Sequence, residues 1–590
     1  MKQFLKYVLA TVTGIILVAI IMGILCAISL VGLAASSASS VKVEDNSVFT
    51  LSLNGIVEER AEENPFAMFS KQVVEPMGLD DILSAIKKAK DNENIKGIYI
   101  EDGLFSAGSP ANMRTIREAL LDFKKSGKWI AAYSEAYSEP SYYICSVADH
   151  IWLNPSGMVD WHGLGGETYY LRDLLAKVGI RFQAVKVGKY KSAVEMLTSD
   201  HMSDYDREQT EAYINGIWNS MLNDVSKSRK ISVDTLNAYA DRFITFSDPK
   251  EFVKMKLVDK LIYTDEVKGE IKKLLKVDKE DKINQVSLSD MKDVKGEKEN
   301  GEEVAVYYAY GEIVDVESGS MMERTHNIVG KTVTKDLEKL MDDDNVKAVV
   351  LRVNSPGGSA YASEQIWNAV TKLKAKKPVV VSMGGYAASG GYYISCNANY
   401  IYAEPTTITG SIGIFGLFPD ASQLLTEKLG VKFDKVKTNK FSDFGAMSRS
   451  FNADELALLD GYIGRGYELF RKRVADGRHQ TIDQIEQVAQ GRVWLGSDAV
   501  NIKLVDALGS LDDAVAKAAK LAKLDEYHTK AYPATPSWFE SLMDQASGTS
   551  YLDEQMQQVL GEYYEPLMYI KSASKMNPVQ ARLPYFVKIK

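Results

Sequence analysis

Residues 345–393 read NVKAVVLRVNSPGGSAYASEQIWNAVTKLKAKKPVVVSMGGYAASGGYY and contain the pattern that decides the fold. Residues 348–353 and 378–382 are short apolar runs rich in β-branched side chains, which predict two strands. Residues 364–374, between them, predict a helix. Because strands that alternate with helices of this length form βαβ units, the stretch predicts an α/β fold with a mostly parallel sheet.

The same pattern occurs earlier in the chain, so the sequence contains an internal duplication. Four pairs of segments match at a nearly constant offset, which chance does not produce. At an offset of 250 or 251 residues, the matching pairs are 94–100 with 345–351, 141–146 with 391–396, 151–155 with 401–405, and 182–186 with 433–437. Internal repeats of this kind indicate a duplicated structural unit, and we assign residues 45–269 to the first repeat and 304–530 to the second.

The second repeat carries a serine, Ser389, that small residues bracket within the segment 382–393. A catalytic serine needs a tight strand-to-helix junction, and small neighbours let a substrate approach closely. The N–H of Gly390 would lie at a helix N-terminus, where amide groups face developing negative charge. The alternative is a glycine-rich turn that only packs a helix closely onto a sheet, and composition does not separate the two.

A second glycine cluster, residues 354–359, also follows a predicted strand. It has the form of an oxyanion loop, in which the N–H of Gly357 or Gly358 is available. It could also cradle a phosphate, but no Gly-Lys-Ser/Thr sequence follows, which disfavours a P-loop. Taken alone, the cluster is equally compatible with a plain turn.

The six histidines lie in no recognisable catalytic motif, although triad partners need not be close in sequence. The alternative base is a lysine that burial keeps neutral. Residues 185–195 contain three lysines in a β-like run that leads into a helix, and Lys191 is the candidate. Lysine clusters are usually solvated surface, and the residues alone leave that interpretation open.

The N-terminus is apolar from residue 7 to residue 35. A run of this length can span a bilayer, whereas a secretory signal has a shorter apolar region of about 7–15 residues. We therefore predict that residues 1–40 form a single-pass anchor, with Lys2 and Lys6 on the cytoplasmic side. The body would then lie outside the cytoplasm, in the periplasm of a bacterium. The small residues at 34–38 leave a cleaved signal as the alternative.

Composition and charge argue against several classes of function. The chain has 590 residues, a net charge of −9 and a pI near 5.5, without the basic footprint of a nucleic-acid binder. Its histidines, cysteines and aspartates show no metal-ligand spacing, so we expect neither a metal nor a cofactor.

A charged stretch, residues 270–303, predicts a linker between the repeats, and residues 531–590 form a tail without a counterpart in the first repeat.

Four strings carry a resemblance that covers most of the chain: 190–195 (YKSAVE), 387–393 (AASGGYY), 409–414 (TGSIGI) and 491–496 (GRVWLG). Together they resemble the signal peptide peptidase A (protease IV) family, in its long bacterial form. The resemblance implies two tandem Clp/crotonase-like repeats and a serine–lysine dyad, with Ser389 as nucleophile and Lys191 as general base. It also implies a homotetramer on the outer face of the cytoplasmic membrane, which cuts released signal peptides within their hydrophobic segment.

The repeat offset makes the two halves depend on each other. Ser389 less 250 falls on Glu139, and Lys191 plus 251 falls on Ser442. The first repeat therefore lacks the serine with its glycines, and the second repeat lacks the lysine. We predict that the two halves are in contact, either within one chain or between neighbouring subunits.

The sequence thus predicts a membrane-anchored serine endopeptidase that acts on hydrophobic peptides. Gly390, Gly358 and Gly357 are the candidate oxyanion donors. Three alternatives stay open: a broader protease for envelope quality control, a non-catalytic membrane scaffold with a degenerate protease fold, and an acyl-CoA enzyme of the crotonase type. The last would need neither an anchor nor Lys191 and Ser389 as a pair.

Overall fold

The computed structural model describes residues 41–61, 76–296, 300–316, 326–535 and 579–583, together with six residues between 6 and 18. The predicted anchor, residues 1–40, lies almost wholly outside these residues. Within the described ranges, no helix is both long enough and apolar enough to cross a membrane.

A parallel sheet forms the centre of the first repeat. The strands of this repeat are β1 (Ser47–Glu58), β2 (Met77–Gly78), β3 (Ile95–Ser106), β4 (Trp129–Tyr137), β5 (His150–Val159), β6 (Arg181–Lys186), β7 (Lys260–Leu261) and β8 (Asn284–Ser287). Neighbouring strands follow the order β2-β1-β3-β4-β5-β7, and β8 also pairs with β1. Each of these pairs is parallel, as the alternation of strands and helices predicts.

Helices cross over between these strands and cover the sheet. They are α1 (Leu79–Asp91), α2 (Pro110–Lys124), α3 (Glu139–Cys145), α4 (Arg172–Val178), α5 (Glu195–Thr198), α6 (Asp204–Arg229), α7 (Val233–Asp241), α8 (Pro249–Lys254), α9 (Val267–Leu275) and α10 (Leu288–Asp293). Short 3₁₀ turns occur at Ile244–Phe246 and Thr264–Glu266.

The second repeat builds its own mostly parallel sheet. The strands of the second repeat and of the tail after it are β9 (Glu302–Tyr310), β10 (Glu312–Val314), β11 (Asn327–Val329), β12 (Val346–Ser355), β13 (Gly357–Ser359), β14 (Val379–Ala388), β15 (Tyr400–Ala403), β16 (Ile408–Gly410), β17 (Phe415–Asp420), β18 (Val493–Leu495), β19 (Ala507–Leu508), β20 (Tyr527–Tyr532) and β21 (Val579–Arg582). The strand order in this mostly parallel sheet is β18-β16-β14-β12-β9-β20, with β15 between β14 and β19. Within this sheet only the pair β16–β18 is antiparallel among the described strands.

The second repeat has its own helices, and the longest of them has a counterpart of equal length in the first repeat. They are α11 (Gly330–Asp342), α12 (Ala360–Lys376), α13 (Gly390–Ser395), α14 (Ala453–Arg478), α15 (Ile482–Val488), α16 (Gly496–Asn501) and α17 (Leu511–Leu521), with a π-helical turn at Leu424–Lys428. The helices α6 and α14, which follow the lysine and serine segments respectively, are both 26 residues long. This correspondence confirms the predicted duplication.

The strand β12 shows why this sheet is buried on both faces. Successive side chains of a strand point to opposite faces. Val349 and Leu351 pack into the larger core of the second repeat, whereas Ala348 and Val350 pack into a smaller core with α17. A parallel strand with apolar residues on both faces reads as a continuous apolar run, which is the pattern that the sequence shows here.

The strand that leads to Ser389 is longer than the sequence predicts. The strand β14 ends directly before Ser389, not at Ser382. The glycines at 384–385 lie inside it, where its register against β12 shifts. The N–H of Tyr386 donates a hydrogen bond of 3.0 Å to Oδ1 of Asn354. At this bulge a side-chain oxygen therefore accepts the hydrogen bond in place of a backbone carbonyl of the neighbouring strand. The prediction that the strand ends at Ser382 is therefore wrong.

The charged stretch 270–303 is more than a solvated connector. It contains the end of α9, the strand β8 and the helix α10. Val286, Met291 and Val294 are buried in the core of the first repeat, and they hold this stretch against it. These buried residues and the pairing of β8 with β1 dock a segment whose composition indicates a linker.

A third sheet joins the two repeats. Its order is β11-β10-β13-β21-β17-β6, so one strand of the first repeat, β6, lies among strands of the second. The strands β6 and β17 are antiparallel over six residue pairs, from Phe415 opposite Lys186 to Asp420 opposite Arg181. The predicted contact between the two halves is therefore formed within one chain.

A buried ion pair also links the repeats. Nε and Nη2 of Arg352, in β12, donate to the two carboxylate oxygens of Glu59, at the end of β1, over 2.9 and 3.1 Å. The side chains are 4% and 2% exposed. Because a bidentate pair satisfies both charges away from water, either partner left alone is an uncompensated buried charge.

We expect the variant Arg352→Met to be destabilised by about 3–5 kcal/mol, because it leaves the carboxylate of Glu59 buried without its partner. The double variant Glu59→Leu with Arg352→Met removes both charges, and it should recover most of this loss. Thermal denaturation followed by circular dichroism measures both. Equal losses in the single and the double variant would contradict this account.

Candidate active site

Ser389 occupies a strained turn between the strand β14 and the helix α13. Its backbone has φ 55° and ψ −112°, a region that non-glycine residues rarely adopt. Its N–H donates a hydrogen bond of 2.8 Å to the carbonyl oxygen of Gly410, which helps to hold the turn. Strain of this kind costs about 1–3 kcal/mol and is typical of functional sites. The predicted tight strand-to-helix junction is therefore present.

Lys191 reaches the second repeat through the strand pair β6–β17. It lies in the loop after β6, and the N–H of the preceding residue, Tyr190, donates to the carbonyl oxygen of Gln490 over 3.0 Å. On the other side, Oγ of Ser192 donates to Oδ1 of Asp206 over 2.6 Å. The loop is thus fixed from both repeats, which leaves the lysine side chain little freedom.

The structure brings Lys191 and Ser389 together. Nζ of Lys191 lies 2.8 Å from Oγ of Ser389. It also lies 3.0 Å from Oγ and 3.2 Å from the carbonyl oxygen of Ser411. All three residues are 0% exposed. These groups meet across 198 residues of sequence, in one chain.

The environment of Lys191 favours its neutral form. Burial holds the pKa of the Lys191 amine well below its usual range, because an ammonium ion loses its hydration there. A neutral amine has two hydrogens and one lone pair. The hydrogens can be donated to the two oxygens of Ser411, which leaves the lone pair for the hydroxyl proton of Ser389. The three contacts thus suit a base that accepts a proton from Ser389.

Two glycines make room for the lysine side chain. A Cβ added at Gly491 would lie 2.7 Å from both Cβ and the backbone nitrogen of Lys191, and one at Gly413 would lie 3.3 Å from Cδ. Gly491 also has φ 82°, which disfavours any residue with a Cβ. The glycines in 409–414 and 491–496 therefore shape the site without chemistry of their own.

The candidate oxyanion glycines lie on one side of Ser389, but they are not equivalent. The N–H of Gly357 donates to Oγ of Ser355 over 3.1 Å. Gly358 lies in the middle of β13, and Gly390 begins the helix α13. A Cβ added at Gly357 would lie 2.7 Å from the nitrogen of Gly390, so the two loops are in close contact. This geometry favours Gly358 and Gly390 over Gly357.

A groove for an extended chain runs past Ser389. The strands β13 and β17 form its sides, and residues 579–582 of the same chain, the strand β21, lie between them. The pairing is antiparallel on both sides. A strand between two strands is held mainly through backbone hydrogen bonds.

Comparison with protein-family models shows to which family the chain belongs. The model described as "Peptidase family S49" matches residues 122–278 and 371–525, once in each repeat. The model described as "Clp protease" matches residues 300–407, the part that carries the glycine clusters and Ser389.

The chain belongs to peptidase family S49. It is therefore a serine peptidase with tandem S49 repeats and a Clp-protease-like fold. The resemblance seen in the four sequence strings is confirmed at the level of the family. An acyl-CoA enzyme, which the fold alone would allow, does not fit this membership.

Relatives of this S49 peptidase cover most of its length. "Protease 4" of Salmonella typhi is 39% identical, over 85% of this chain and 80% of the relative. "Protease 4" of Haemophilus influenzae is 32% identical, over 91% and 90%. "Serine protease SPPA, chloroplastic" of Arabidopsis thaliana is 30% identical, over 82% and 70%. Among solved structures, ClpP1 from Listeria monocytogenes matches 36% of this chain and 94% of its own at 19% identity, with a TM-score of 0.22.

The first repeat of this S49 peptidase has no serine at the position that matches Ser389. Glu139 stands there, buried, and its Oε1 accepts the N–H groups of His162 and Gly163 over 3.2 and 3.0 Å. Burial raises the pKa of this carboxyl. Ser442, at the repeat position of the lysine, lies in an exposed turn and donates to the carbonyl oxygen of Asn439. Both residues support local structure in place of the missing partners.

Sequence reasoning missed Ser411, which contacts the lysine amine with both its hydroxyl and its carbonyl oxygen. Its backbone is held by the N–H, which donates to the carbonyl oxygen of Arg492 over 2.7 Å. The string TGSIGI at 409–414 contained a signal, because Thr409 and Ser411 are its two residues whose side chains can form a hydrogen bond with a lysine. Only the fold shows which of these residues faces the amine.

The variant Gly491→Ala should lower kcat/KM about 100-fold, because the added methyl group displaces the backbone of Lys191 and a shift of about 1 Å in a catalytic group has effects of this size. Hydrolysis of a fluorogenic peptide measures the rate. Gly464→Ala is the matched control, because nothing lies within 4 Å of its Cβ and the glycine sits in the helix α14. Full activity in Gly491→Ala would contradict the packing argument.

Proposed function

We propose that this S49 peptidase is a membrane-anchored endopeptidase that degrades signal peptides after their release, with Ser389 as nucleophile and Lys191 as general base. The observation that carries the proposal is the contact of 2.8 Å between Nζ of Lys191 and Oγ of Ser389 at a site closed to water. A neutral amine at this distance can take up the hydroxyl proton directly.

The first half of the reaction forms an acyl-enzyme. Neutral Lys191 takes the proton of the Ser389 hydroxyl as Oγ attacks the scissile carbonyl carbon. Amide groups of Gly358 and Gly390 stabilise the negative charge that develops on the carbonyl oxygen. The ammonium form of Lys191 then protonates the leaving amine, and the C–N bond breaks.

The second half releases the acyl group. A water molecule gives a proton to Lys191 and attacks the ester carbonyl, and the proton returns to Oγ of Ser389 as the ester bond breaks. Ser411 positions the amine throughout, since its oxygens hold the two hydrogens that do not take part. The third position on Nζ, which holds the lone pair in the neutral amine and the transferred proton in the ammonium form, therefore stays directed at the reacting groups in both halves.

The groove between β13 and β17 supports an extended peptide as substrate. A chain in this position forms backbone hydrogen bonds with both strands, which bring one carbonyl group to Ser389. The strand β21, which occupies the groove, is internal to its chain, so an occupant can continue in both directions. This arrangement supports cleavage within a chain rather than at its end.

Apolar substrates suit the site for an electrostatic reason. The low pKa of Lys191 depends on exclusion of water, and a charged or strongly hydrated peptide would bring water with it. The hydrophobic segment of a signal peptide meets this requirement. The apolar run at residues 7–35 would anchor the enzyme in the membrane where released signal peptides remain.

The proposed location and assembly follow from sequence and surface. Lys2 and Lys6 favour the cytoplasmic side for the N-terminus, which would put the body in the periplasm. The resemblance to the long bacterial form supports a homotetramer. An exposed apolar surface on the segment 429–447 is compatible with contact to another subunit, since Val436 is 100% exposed and Leu429 and Met447 are 64% and 66% exposed.

We expect Ser389→Ala and Lys191→Ala each to lower the rate of cleavage of an apolar signal-type peptide by at least about 10³-fold. Mass spectrometry of the products gives both rate and cut site. Lys189→Ala and Ser442→Ala are matched controls on exposed residues and should keep full activity. A fully active Ser389→Ala or Lys191→Ala variant would overturn the assignment of the dyad.

The pH profile of the wild type separates a basic role of Lys191 from a structural one. Activity requires the neutral amine, so kcat/KM should rise with pH up to the lowered pKa of Lys191 and fall tenfold per unit below it. Lys191→Arg keeps a positive charge at every pH and should be inactive throughout. A profile independent of pH on the acidic side would speak against Lys191 as the base.

Removal of residues 1–40 should move the protein from the membrane fraction to the soluble fraction, because the apolar run would be the main attachment. Peptide cleavage in detergent-free buffer should persist, since the described site contains none of these residues. Fractionation and immunoblotting measure the distribution. A reporter fused after residue 60 should be active only outside the cytoplasm, and activity inside would reverse the proposed topology.

A further inference from the structure

The side chain of Gln209 holds the loop that carries Lys191. Gln209 is the sixth residue of the helix α6 and is 1% exposed. Its Nε2 donates to the carbonyl oxygen of Tyr190 and to Oγ of Ser192, over 3.2 Å in each case. Because these two residues directly precede and follow Lys191, one amide group fixes the chain on both sides of the proposed base.

A buried carboxylate fixes the amide group of Gln209. Nε2 also donates to Oδ1 of Asp206 over 2.8 Å, and the same carboxylate oxygen accepts the hydroxyl of Ser192 over 2.6 Å. If the amide were reversed, its oxygen would face the carbonyl oxygen of Tyr190 and the carboxylate of Asp206, which offer it no proton. The side chains of Gln209, Asp206 and Ser192 thus form a closed, buried hydrogen-bond network that determines the orientation of the amide.

The other end of the same amide contacts the second repeat. Oε1 of Gln209 accepts the N–H of Val493 over 3.1 Å, across 284 residues of sequence. Val493 lies in β18, at the edge of the second sheet, and pairs with Gly410 in β16. The carbonyl oxygen of Gly410 accepts the N–H of Ser389 over 2.8 Å. Gln209 therefore links the loop of the base to the strand pair that holds the turn of the nucleophile.

The two residues before β18 form part of the pocket of the amine. The carbonyl oxygen of Arg492 accepts the N–H of Ser411 over 2.7 Å, and Ser411 contacts Nζ of Lys191. Gly491 packs against Lys191, where an added Cβ would lie 2.7 Å from the backbone nitrogen. Gln209 therefore bonds the loop that carries the base and the stretch that encloses it at the same time.

The helix of the second repeat carries a different residue at this place. The helices α6 and α14 are both 26 residues long, and the sixth residue of α14 is Leu458, which is 56% exposed. The second repeat also has Ser442 at the position that matches the lysine. The buried amide thus accompanies Lys191, which fits a residue that serves the base and not the fold that both repeats share.

We propose that Gln209 is a positioning residue for Lys191, which sets the amine against Ser389 and keeps water out of the pocket. This inference rests on the proposed function. If the loop is displaced, Nζ no longer meets the hydroxyl of Ser389 at 2.8 Å, and proton transfer becomes slower. Water then also reaches the amine and stabilises its ammonium form, so that the pKa of Lys191 rises toward its ordinary value.

Replacement of Gln209 by Met tests this role, because Met has a similar length and forms none of these hydrogen bonds. We expect Gln209→Met to lower kcat for a fluorogenic apolar peptide about 10- to 100-fold, with KM unchanged, since the groove for the peptide lies between β13 and β17. The acidic limb of the pH profile of kcat/KM should move upward by about one pH unit. Labelling of Ser389 to completion with a fluorophosphonate counts the intact sites, so that kcat is expressed per folded enzyme.

Gln183→Met is the matched control. Gln183 also bonds the second repeat, because its Nε2 donates to the carbonyl oxygen of Phe451 over 3.4 Å and its Oε1 accepts the N–H of Phe451 over 2.7 Å. These bonds hold the chain in front of α14 and not the loop of Lys191. The control variant should therefore keep the wild-type kcat and the wild-type acidic limb.

Gln209→Asn is a second test that keeps a buried amide and thereby protects the fold. Its side chain is shorter by one CH₂ group, so it cannot bond both repeats at once, and we expect the same upward shift of the acidic limb with a lower kcat.

A folded Gln209→Met variant with wild-type kcat per labelled site and an unmoved acidic limb would overturn the inference, even at a lower melting temperature. If Gln209→Met does not fold, the same result for Gln209→Asn decides against it. An equal shift in Gln183→Met would also overturn it, because the effect would then come from the packing of the repeats in general. A fully active Lys191→Ala variant would instead overturn the proposed function, so the two failures are distinguishable.

Discussion

The contact between the amine of Lys191 and the hydroxyl of Ser389 is the interaction on which the rest of the structure depends. A lysine accepts a proton only when it is neutral, and here complete burial favours the neutral form because it holds the pKa of the Lys191 amine well below its usual range. Burial in turn needs walls around the side chain, and Gly413, Gly491 and Ser411 form part of them: the two glycines leave space that a Cβ would fill, and Ser411 lies within hydrogen-bond distance. Because the lysine comes from the first repeat and these walls come from the second, the site exists only where the repeats are packed together.

Duplication explains how such a site can be shared. Each repeat has a parallel sheet with covering helices, but each holds only one residue of the proposed dyad. In the first repeat, Glu139 stands at the position that matches Ser389 and accepts backbone N–H groups. The strand pair β6–β17 and the ion pair between Glu59 and Arg352 then hold the two specialised halves in register.

The groove beside Ser389 recognises backbone more than side chains, and this has two consequences. A peptide added between β13 and β17 is held by hydrogen bonds that do not depend on its sequence, which suits a peptidase acting on varied apolar segments. The same property allows the strand β21 of the chain to lie there.

The sequence by itself determined the α/β class and the duplication, because these depend on periodicity and on internal repetition. At Ser389 it left a catalytic junction and a plain glycine-rich turn equally open, and the structure decided between them with a φ of 55°. The sequence indicated Lys191 only through a family resemblance, since a lysine in a β-like run looks the same whether it is buried or solvated. The length of β14, the orientation of Ser411, the ion pair of Glu59 with Arg352 and the position of β21 were decided by tertiary structure alone. The contact of Ser411 with Lys191 and the ion pair join residues 220 and 293 positions apart, and the length of β14 depends on a bulge. No local pattern records how two sheets pack against each other.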